Sequence, residues 1–199
     1  MLNAQRDAVT TSLEPGERLL EAAAVTLAPG IPHPPAELLA PRRVSPVEEG
    51  LGRSFGLLRR AYAVVNPVSA AVGAIENRVV AAEPERVLHG AGIGGGWQSA
   101  AGRLVIRLHE GGAKGGGLLA VTDRRLLVVV DRAALWQLFT EEYALHWAVP
   151  RAEVREVRRH ATGVLQRGRI DLHFADGSWV AVTADLPRAA DPVVAAFHS

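Results

Sequence analysis

Cysteine is absent from the 199 residues, and lysine occurs only once, as Lys114. Without cysteine the chain has no disulfide, no thiolate ligand for zinc and no thiol nucleophile. An excess of one charge is also lacking, because 22 Lys and Arg residues face 21 Asp and Glu residues. A net charge of +1 excludes a protein that holds nucleic acid through the field of the whole chain, so we expect no nucleic-acid partner.

Long hydrophobic runs are missing as well. No window reaches the roughly 20 apolar residues that a membrane-spanning helix needs, and residues 1–13 lack the apolar stretch of a signal peptide. The 48% hydrophobic and 22% charged residues are typical of a folded globular protein. We therefore expect one domain in the cytoplasm, with peripheral attachment to the inner membrane face left open.

Two turn signals, Pro15-Gly16 and Pro29-Gly30, enclose the first predicted element. Val25, Thr26 and the short length of the enclosed segment favour a strand over a helix. The five prolines between residues 32 and 46 then indicate an extended linker, because proline fixes φ and lacks a backbone donor.

Helical periodicity follows in two segments. Over 47–82 the apolar residues recur at i, i+4 and i+7, and Asn66-Pro67 divides this run into a helical hairpin. Over 97–108 the same spacing predicts a short helix, although the alternation of Leu104, Ile106 and Leu108 leaves a strand open.

The C-terminal half has the alternation of an antiparallel sheet. Apolar runs at 118–122 and 126–130 flank Asp123-Arg124-Arg125, which predicts a hairpin. Asp176-Gly177, between two further alternating segments, is a strong two-residue hairpin signal. The last segment, 187–197, has apolar residues at helical spacing. We therefore predict a run of antiparallel strands closed by one helix.

Four motifs occur in a fixed order: Leu13-Glu14-Pro15-Gly16-Glu17, the hairpin from Gly117 to Leu127, Val149-Pro150-Arg151-Ala152-Glu153-Val154, and Phe174-Ala175-Asp176-Gly177-Ser178-Trp179. With the C-terminal helix, this order resembles bacterial pleckstrin-homology-like (PH-like) and GRAM-like domains. The resemblance implies an α+β fold, an antiparallel β-barrel or sandwich capped by the C-terminal helix. Members of that family bind lipids or proteins, so the fold alone does not supply the function.

The resemblance assigns residues 13–199 to a single PH-like domain with its core at 13–29 and 117–199. Residues 30–116 then form a Pro- and Gly-rich, mostly helical insertion after the first strand. The typical short family member lacks such an insertion. We expect this protein's own function to reside there.

Arginines concentrate in the predicted strands near the C-terminus. If 154–160 and 167–174 are neighbouring strands, several guanidinium groups would share one face that could hold phosphate or anionic headgroups. A solvated sheet face is the alternative interpretation. The candidate ligand-binding residues are Arg151, Arg155, Arg158, Arg167 and Arg169.

The 47–82 hairpin offers a second candidate contact, with a membrane or with a partner. Its candidate residues are Phe55, Leu58, Arg59 and Tyr62, a pattern that suits apolar insertion with arginine at the headgroups. Packing on the chain's own domain or on another subunit is the alternative.

A glycine-rich loop, Gly90-Ala91-Gly92-Ile93-Gly94-Gly95, matches the G-x-G-x-x-G dinucleotide fingerprint. The next acid after a strand, Asp123, lies 28 residues beyond Gly95, whereas about 20 is usual. The following segments are hairpins rather than βα units. A dinucleotide-dependent enzyme therefore stays an alternative, and a loop between helical pieces is the main interpretation.

No local constellation of catalytic or metal-binding residues is evident. The seven histidines show neither H-x-H nor H-x-x-x-H spacing, and a G-x-S-x-G nucleophile elbow is absent. We therefore predict no catalytic residue, no metal and no cofactor. The expected function is a non-enzymatic binding module, a protein-interaction or self-assembly adaptor; a peripheral binder of anionic lipid is the alternative.

Overall fold

The computed structural model of the chain describes residues 3–39, 91–111, 116–131, 143–160 and 167–199. The helices in these ranges are α1 (Asn3–Thr11), α2 (Ala100–Gly111) and α3 (Ala190–His198). The strands are β1 (Leu19–Leu27), β2 (Ile93–Gly94), β3 (Gly116–Thr122), β4 (Arg125–Asp131), β5 (Tyr143–Pro150), β6 (Val154–Arg159), β7 (Arg169–Phe174) and β8 (Trp179–Ala184). The predicted hairpin at 47–82 lies outside the described residues.

All strands belong to one antiparallel sheet in the order β5-β4-β3-β1-β8-β7-β6, and β2 pairs with the start of β8. The first strand occupies the centre: it pairs with β3 along most of its length and with β8 through Val25, Thr26 and Leu27. The predicted strand at 17–28, the two hairpins and the C-terminal helix are therefore confirmed. The segment 97–108 contributes α2, so the helix is correct and the strand is not.

The sheet is rolled but not closed. Trp147 on β5 meets Phe174 on β7 edge to face, with ring centroids 6.0 Å apart, so the two halves of the sheet curve toward each other. Within the described residues, however, no strand pairing joins β5 to β6. A closed barrel, one of the two predicted forms, is therefore wrong. The chain passes from β5 to β6 through Pro150 and a 3-10 turn at Arg151–Glu153.

Two helices fill the concave side of the sheet. Leu104, Val105 and Leu108 of α2 and Val193 of α3 are fully buried there, in one cluster with the inward residues of both sheet halves. Each helix therefore contributes an apolar stripe to the core, as the helical spacing in the sequence indicates.

The outer face of β1, β3 and β4 is covered by α1, for which the sequence analysis assigned no element. Val9 of α1 is fully buried against Ala22, Leu118, Leu127 and Val129. Most other side chains of this short helix are polar, so the segment lacks the regular spacing of apolar residues that would predict a helix. Strands buried on both faces explain why 118–130 is almost continuously apolar.

A buried ion pair connects the segment before β1 to the β3–β4 turn. Glu17 accepts hydrogen bonds from Arg125 Nε at 3.0 Å and Nη2 at 2.5 Å, and from the Thr122 hydroxyl at 2.6 Å. The Thr122 oxygen accepts the backbone N–H groups of Arg124 and Arg125 across the turn. Arg125 thus joins this turn to the segment before β1 through Glu17.

This geometry stabilises the ionised form of Glu17. The side-chain hydrogen bonds from Arg125, helped by those from Glu14 N–H and Thr122, outweigh the effect of burial and lower the pKa of Glu17 to about 2. A folded-state pKa below the ordinary value means that ionisation favours folding. The contribution is complete above about pH 4.5 and is lost as the pH falls toward 2.

We expect Glu17→Gln to lower the free energy of unfolding at pH 7 by about 2–3 kcal/mol. Urea titrations from pH 7 to pH 2 should show that the variant also loses the steep decline of wild-type stability below pH 4.5. Glu37→Gln, at an exposed glutamate, serves as the control and should change stability little. An equal pH dependence in wild type and Glu17→Gln would contradict the assignment.

The N-terminus of α2 is held by the β7–β8 turn. Asp176 Oδ2 accepts the N–H of Ala100 at 2.8 Å, and Ser178 Oγ accepts that of Ala101 at 3.1 Å. Gly177 supports this turn with a φ of 81°, which glycine adopts without strain. The backbone N–H of Ala100 lowers the pKa of Asp176 more than any other group. The hairpin turn thus acts as a helix cap supplied from a distant segment.

Asp176→Ala should therefore destabilise the protein by about 1 kcal/mol, measured by urea unfolding at pH 7. Asp185→Ala provides the matched control, because Asp185 is an exposed acid in the loop after β8. Equal effects of the two substitutions would show that capping of α2 contributes nothing.

Candidate functional site

The candidate site lies on the outer face of β6, β7 and β8. Val157 and Leu172 face the core, so the alternating residues on each strand face outward. The register places Arg158 of β6, Asp171 of β7 and Ala181 of β8 side by side on this face. Strand pairing thus gathers charged residues that are far apart in sequence.

Asp171 is the centre of this group. Its Oδ1 lies 2.7 Å from Nε of Arg169, and its Oδ2 lies 3.2 Å from Nδ1 of His160. Both members of the Arg169–Asp171 pair are buried, with 3% and 2% of their surface exposed. A buried pair with this short contact is held in one arrangement, because each charge would be costly alone.

Arg169 extends across β8 toward β2. Its Nη2 donates to the Ala91 carbonyl at 3.1 Å, and its guanidinium carbon lies 5.9 Å from the centroid of the Trp179 ring. His173 stacks on the same indole, with centroids 6.0 Å apart. The indole also lies so close to Gly94 that a β-carbon there would overlap it. The aromatic residue therefore links Arg169 to β2.

The position of Arg169 corrects the sequence analysis. Alternation with Ile170 and Leu172 predicts a solvated Arg169, whereas the residue is buried in an ion pair. The sequence did contain a sign of this pair: Asp171 follows Arg169 by two residues, and residues i and i+2 lie on the same face of a strand. Arg169 is therefore engaged in a buried ion pair on this face.

Arg151 and Arg155 do not join the group. Arg151 donates to the carbonyls of Thr122 and Phe197 and lies over the Phe197 ring at 5.0 Å, so it attaches α3 to the sheet. Arg155 is exposed at an irregularity in the β6–β7 pairing, between Val154 and Glu156. Of the five candidates, Arg151 and Arg169 are therefore engaged in structural contacts, and Arg155, Arg158 and Arg167 are exposed.

Arg159 lies outside the five candidates but organises the neighbouring surface. Its guanidinium donates to the carbonyls of Pro187 and Arg167, and it pairs with Asp191 of α3 at 3.0 Å. The Arg159 guanidinium thereby brings the segment before β7 next to the loop after β8. Arg188, next to Pro187, is exposed there and is the residue that sequence reasoning missed.

We call Arg158, Arg167 and Arg188 the arginine surface. All three are exposed, and none makes an ion pair with any residue that the structure describes. Arg158 stands beside the buried Asp171 on the outer face. Arg159 alternates with it and extends from the opposite face, where it binds the carbonyls of Arg167 and of Pro187, the neighbour of Arg188. The arginine surface therefore surrounds the end of β6 from both faces, and exposed guanidinium groups can bind carboxylates or phosphates.

Residues 91–95 of the glycine-rich loop take a different form from a phosphate loop. Ile93 and Gly94 form β2, the Gly92 carbonyl accepts the N–H of Ala181 at 2.7 Å, and Gly92 lies against Ile31. The first N–H groups of the following helix are bonded to Asp176 and Ser178, as described above. In this arrangement they are not available to a pyrophosphate.

The described ranges contain no group of three or more His, Cys, Asp or Glu residues placed to hold a metal ion. None of the helices in those ranges is both long and apolar enough to cross a membrane. The second set of candidates, Phe55, Leu58, Arg59 and Tyr62, lies outside the described residues. Comparisons with protein-family models, curated proteins and solved structures found no match for this chain.

Loss of one partner from the buried pair should be more damaging than loss of both. We expect Asp171→Ala to destabilise the protein by about 3–5 kcal/mol, because it leaves Arg169 charged and buried. The double variant Arg169→Met, Asp171→Leu should recover most of that loss in urea unfolding. A double variant as unstable as the single one would contradict this account.

Proposed function

We propose that this chain is a PH-like module that acts by binding and not by catalysis. Its contact surface is the arginine surface, and its partner is an acidic segment of another protein. The proposal rests on a difference between the arginines near β6 and β7: some are bound within the fold and others are exposed. Arg159 and Arg169 are occupied by acidic side chains or backbone carbonyls, whereas Arg158, Arg167 and Arg188 are exposed and unpaired among the described residues.

The PH-like assignment is supported by how the four motifs come together. Glu17, from the first motif, bonds to the turn of the second, and Pro150, from the third, pairs with Arg125 of that same hairpin. The fourth motif forms the β7–β8 turn, and α3 follows as the C-terminal helix. The last three motifs therefore belong to one antiparallel sheet and its turns, and the first contacts that sheet through Glu17.

The charge pattern favours a protein over a membrane. A surface that binds anionic lipid usually carries several cations in one cluster. Here acidic side chains are interspersed: Glu156 and Asp171 flank Arg158, and Asp185 and Asp191 lie on either side of Arg188 in the chain. A surface with charges of both signs fits a partner that carries the complementary arrangement of charges. Such complementarity determines which partner binds more than it raises the overall affinity.

We expect the chain to bind a short synthetic peptide of alternating aspartate and valine, with an affinity that falls as salt rises. Arg158→Glu with Arg167→Glu should weaken this binding by at least about tenfold in fluorescence anisotropy, because two charges become repulsive. Arg6→Glu with Arg124→Glu makes the same change of net charge at exposed positions elsewhere and should leave the affinity within about twofold.

Equal effects of the two double variants would reject the arginine surface as the contact. Co-sedimentation with phosphatidylcholine vesicles, with and without phosphatidylglycerol, separates the lipid alternative. Binding that requires phosphatidylglycerol, together with no binding to the peptide, would reject a protein partner in favour of anionic lipid.

A further inference from the structure

Two of the seven histidines come together although 76 positions separate them. His33 lies in the segment after β1 and His109 lies in the last turn of α2, and their ring centroids are 4.5 Å apart at an interplanar angle of 45°. His33 is exposed and His109 is half-buried, so the pair faces solvent on one side. A search for local histidine spacing cannot find such a pair.

The distance between the rings suits shared coordination of one metal ion. A zinc–nitrogen bond of about 2.0–2.1 Å places the centroid of an imidazole roughly 3.2 Å from the metal. Two such rings at bond angles of about 90–110° then have centroids roughly 4.5–5.2 Å apart. The observed separation of 4.5 Å between the ring centroids is therefore compatible with two imidazoles that share one ion.

The hydrogen bonding of His33 has the pattern of a metal ligand. Its Nδ1 lies 2.9 Å from the Pro34 carbonyl, and because a carbonyl only accepts, Nδ1 carries the proton. This leaves the Nε2 lone pair for another partner. Ligating histidines generally donate their second ring N–H to a carbonyl or carboxylate, which fixes the tautomer and the ring orientation.

His109 supplies the second imidazole from the last turn of α2 and lies half-buried beside His33. Of the nearby acids, Glu110 is bound to Arg107 at 2.8 Å, and Glu37 is exposed on the 3-10 turn that follows His33. Neutral imidazole is the form that binds zinc, copper or nickel.

We infer that His33 and His109 form a two-imidazole binding site for a divalent transition-metal ion, with zinc as the test ion and water completing its coordination. With two protein ligands the site would be open rather than a closed structural centre, since structural zinc sites use four. It would join the segment after β1 to α2. This site is separate from the arginine surface and does not rest on the proposed function.

Titration of the full chain with zinc chloride in a calorimeter tests this inference. We expect one ion per chain at pH 7.5 and a raised melting temperature, because an ion that binds only the folded state stabilises it. His33→Gln and His109→Gln should each weaken binding by at least about tenfold, since loss of an outer-shell partner alone costs roughly 10–100-fold. His198→Gln is the matched control, since His198 is an exposed histidine on α3.

Imidazole resonances provide a readout that does not depend on folding energy. Zinc should shift the ring signals of His33 and His109 together in NMR spectra of the wild type and leave those of His198 in place. Absence of heat and of any shift would overturn the inference. An equal loss of affinity in His198→Gln would do so as well, because it would show general binding to surface histidines.

Discussion

The pairing of Glu17 with Arg125 is the interaction on which the sheet depends most. It lies at the junction between the segment that enters β1 and the turn that joins β3 to β4, and the strand it anchors is central in the sheet order. A buried carboxylate with donors from a guanidinium, a hydroxyl and a backbone amide has few alternative positions. The ion pair therefore fixes the register of β1 against β3, and every other strand takes its place relative to that pair.

The two halves of the sheet bury the residues of their outer faces in different ways. On the outer face of β1, β3 and β4, a short helix covers apolar residues. On the outer face of β6 to β8, the buried residues include a charged pair, Arg169 and Asp171, and Arg169 reaches the neighbouring strand β2. A buried ion pair of this kind favours one arrangement of its strands more than it adds to the free energy of unfolding. Arg158, which is exposed, lies directly beside this fixed pair.

Much of the sheet could be predicted from the sequence, because its signals are local. Alternation in 118–130, the Asp176-Gly177 turn and the apolar spacing in α2 and α3 each act over a few residues, and the structure confirms the elements they predict. Helix α1 was not predicted, because among the side chains of residues 5–11 Val9 is the one that is fully buried, and most of the others are polar. The burial of Arg169 was not predicted either: its partner Asp171 is only two residues on, but Ala91 and Trp179, which also contact it, lie on other segments. Arg188 was missed because the contacts of Arg159 with the carbonyls of Pro187 and Arg167 join segments that are distant in sequence.

The contact between Gly92 and Ile31 has a consequence for how this domain tolerates change. The chain leaves the sheet after β1 and returns to it at β2, and these two points touch. A segment whose ends already meet can be lengthened at small entropic cost, about 0.6 kcal/mol for each doubling of a flexible loop. The contact between these two points therefore places little entropic restriction on the length of the chain that joins them.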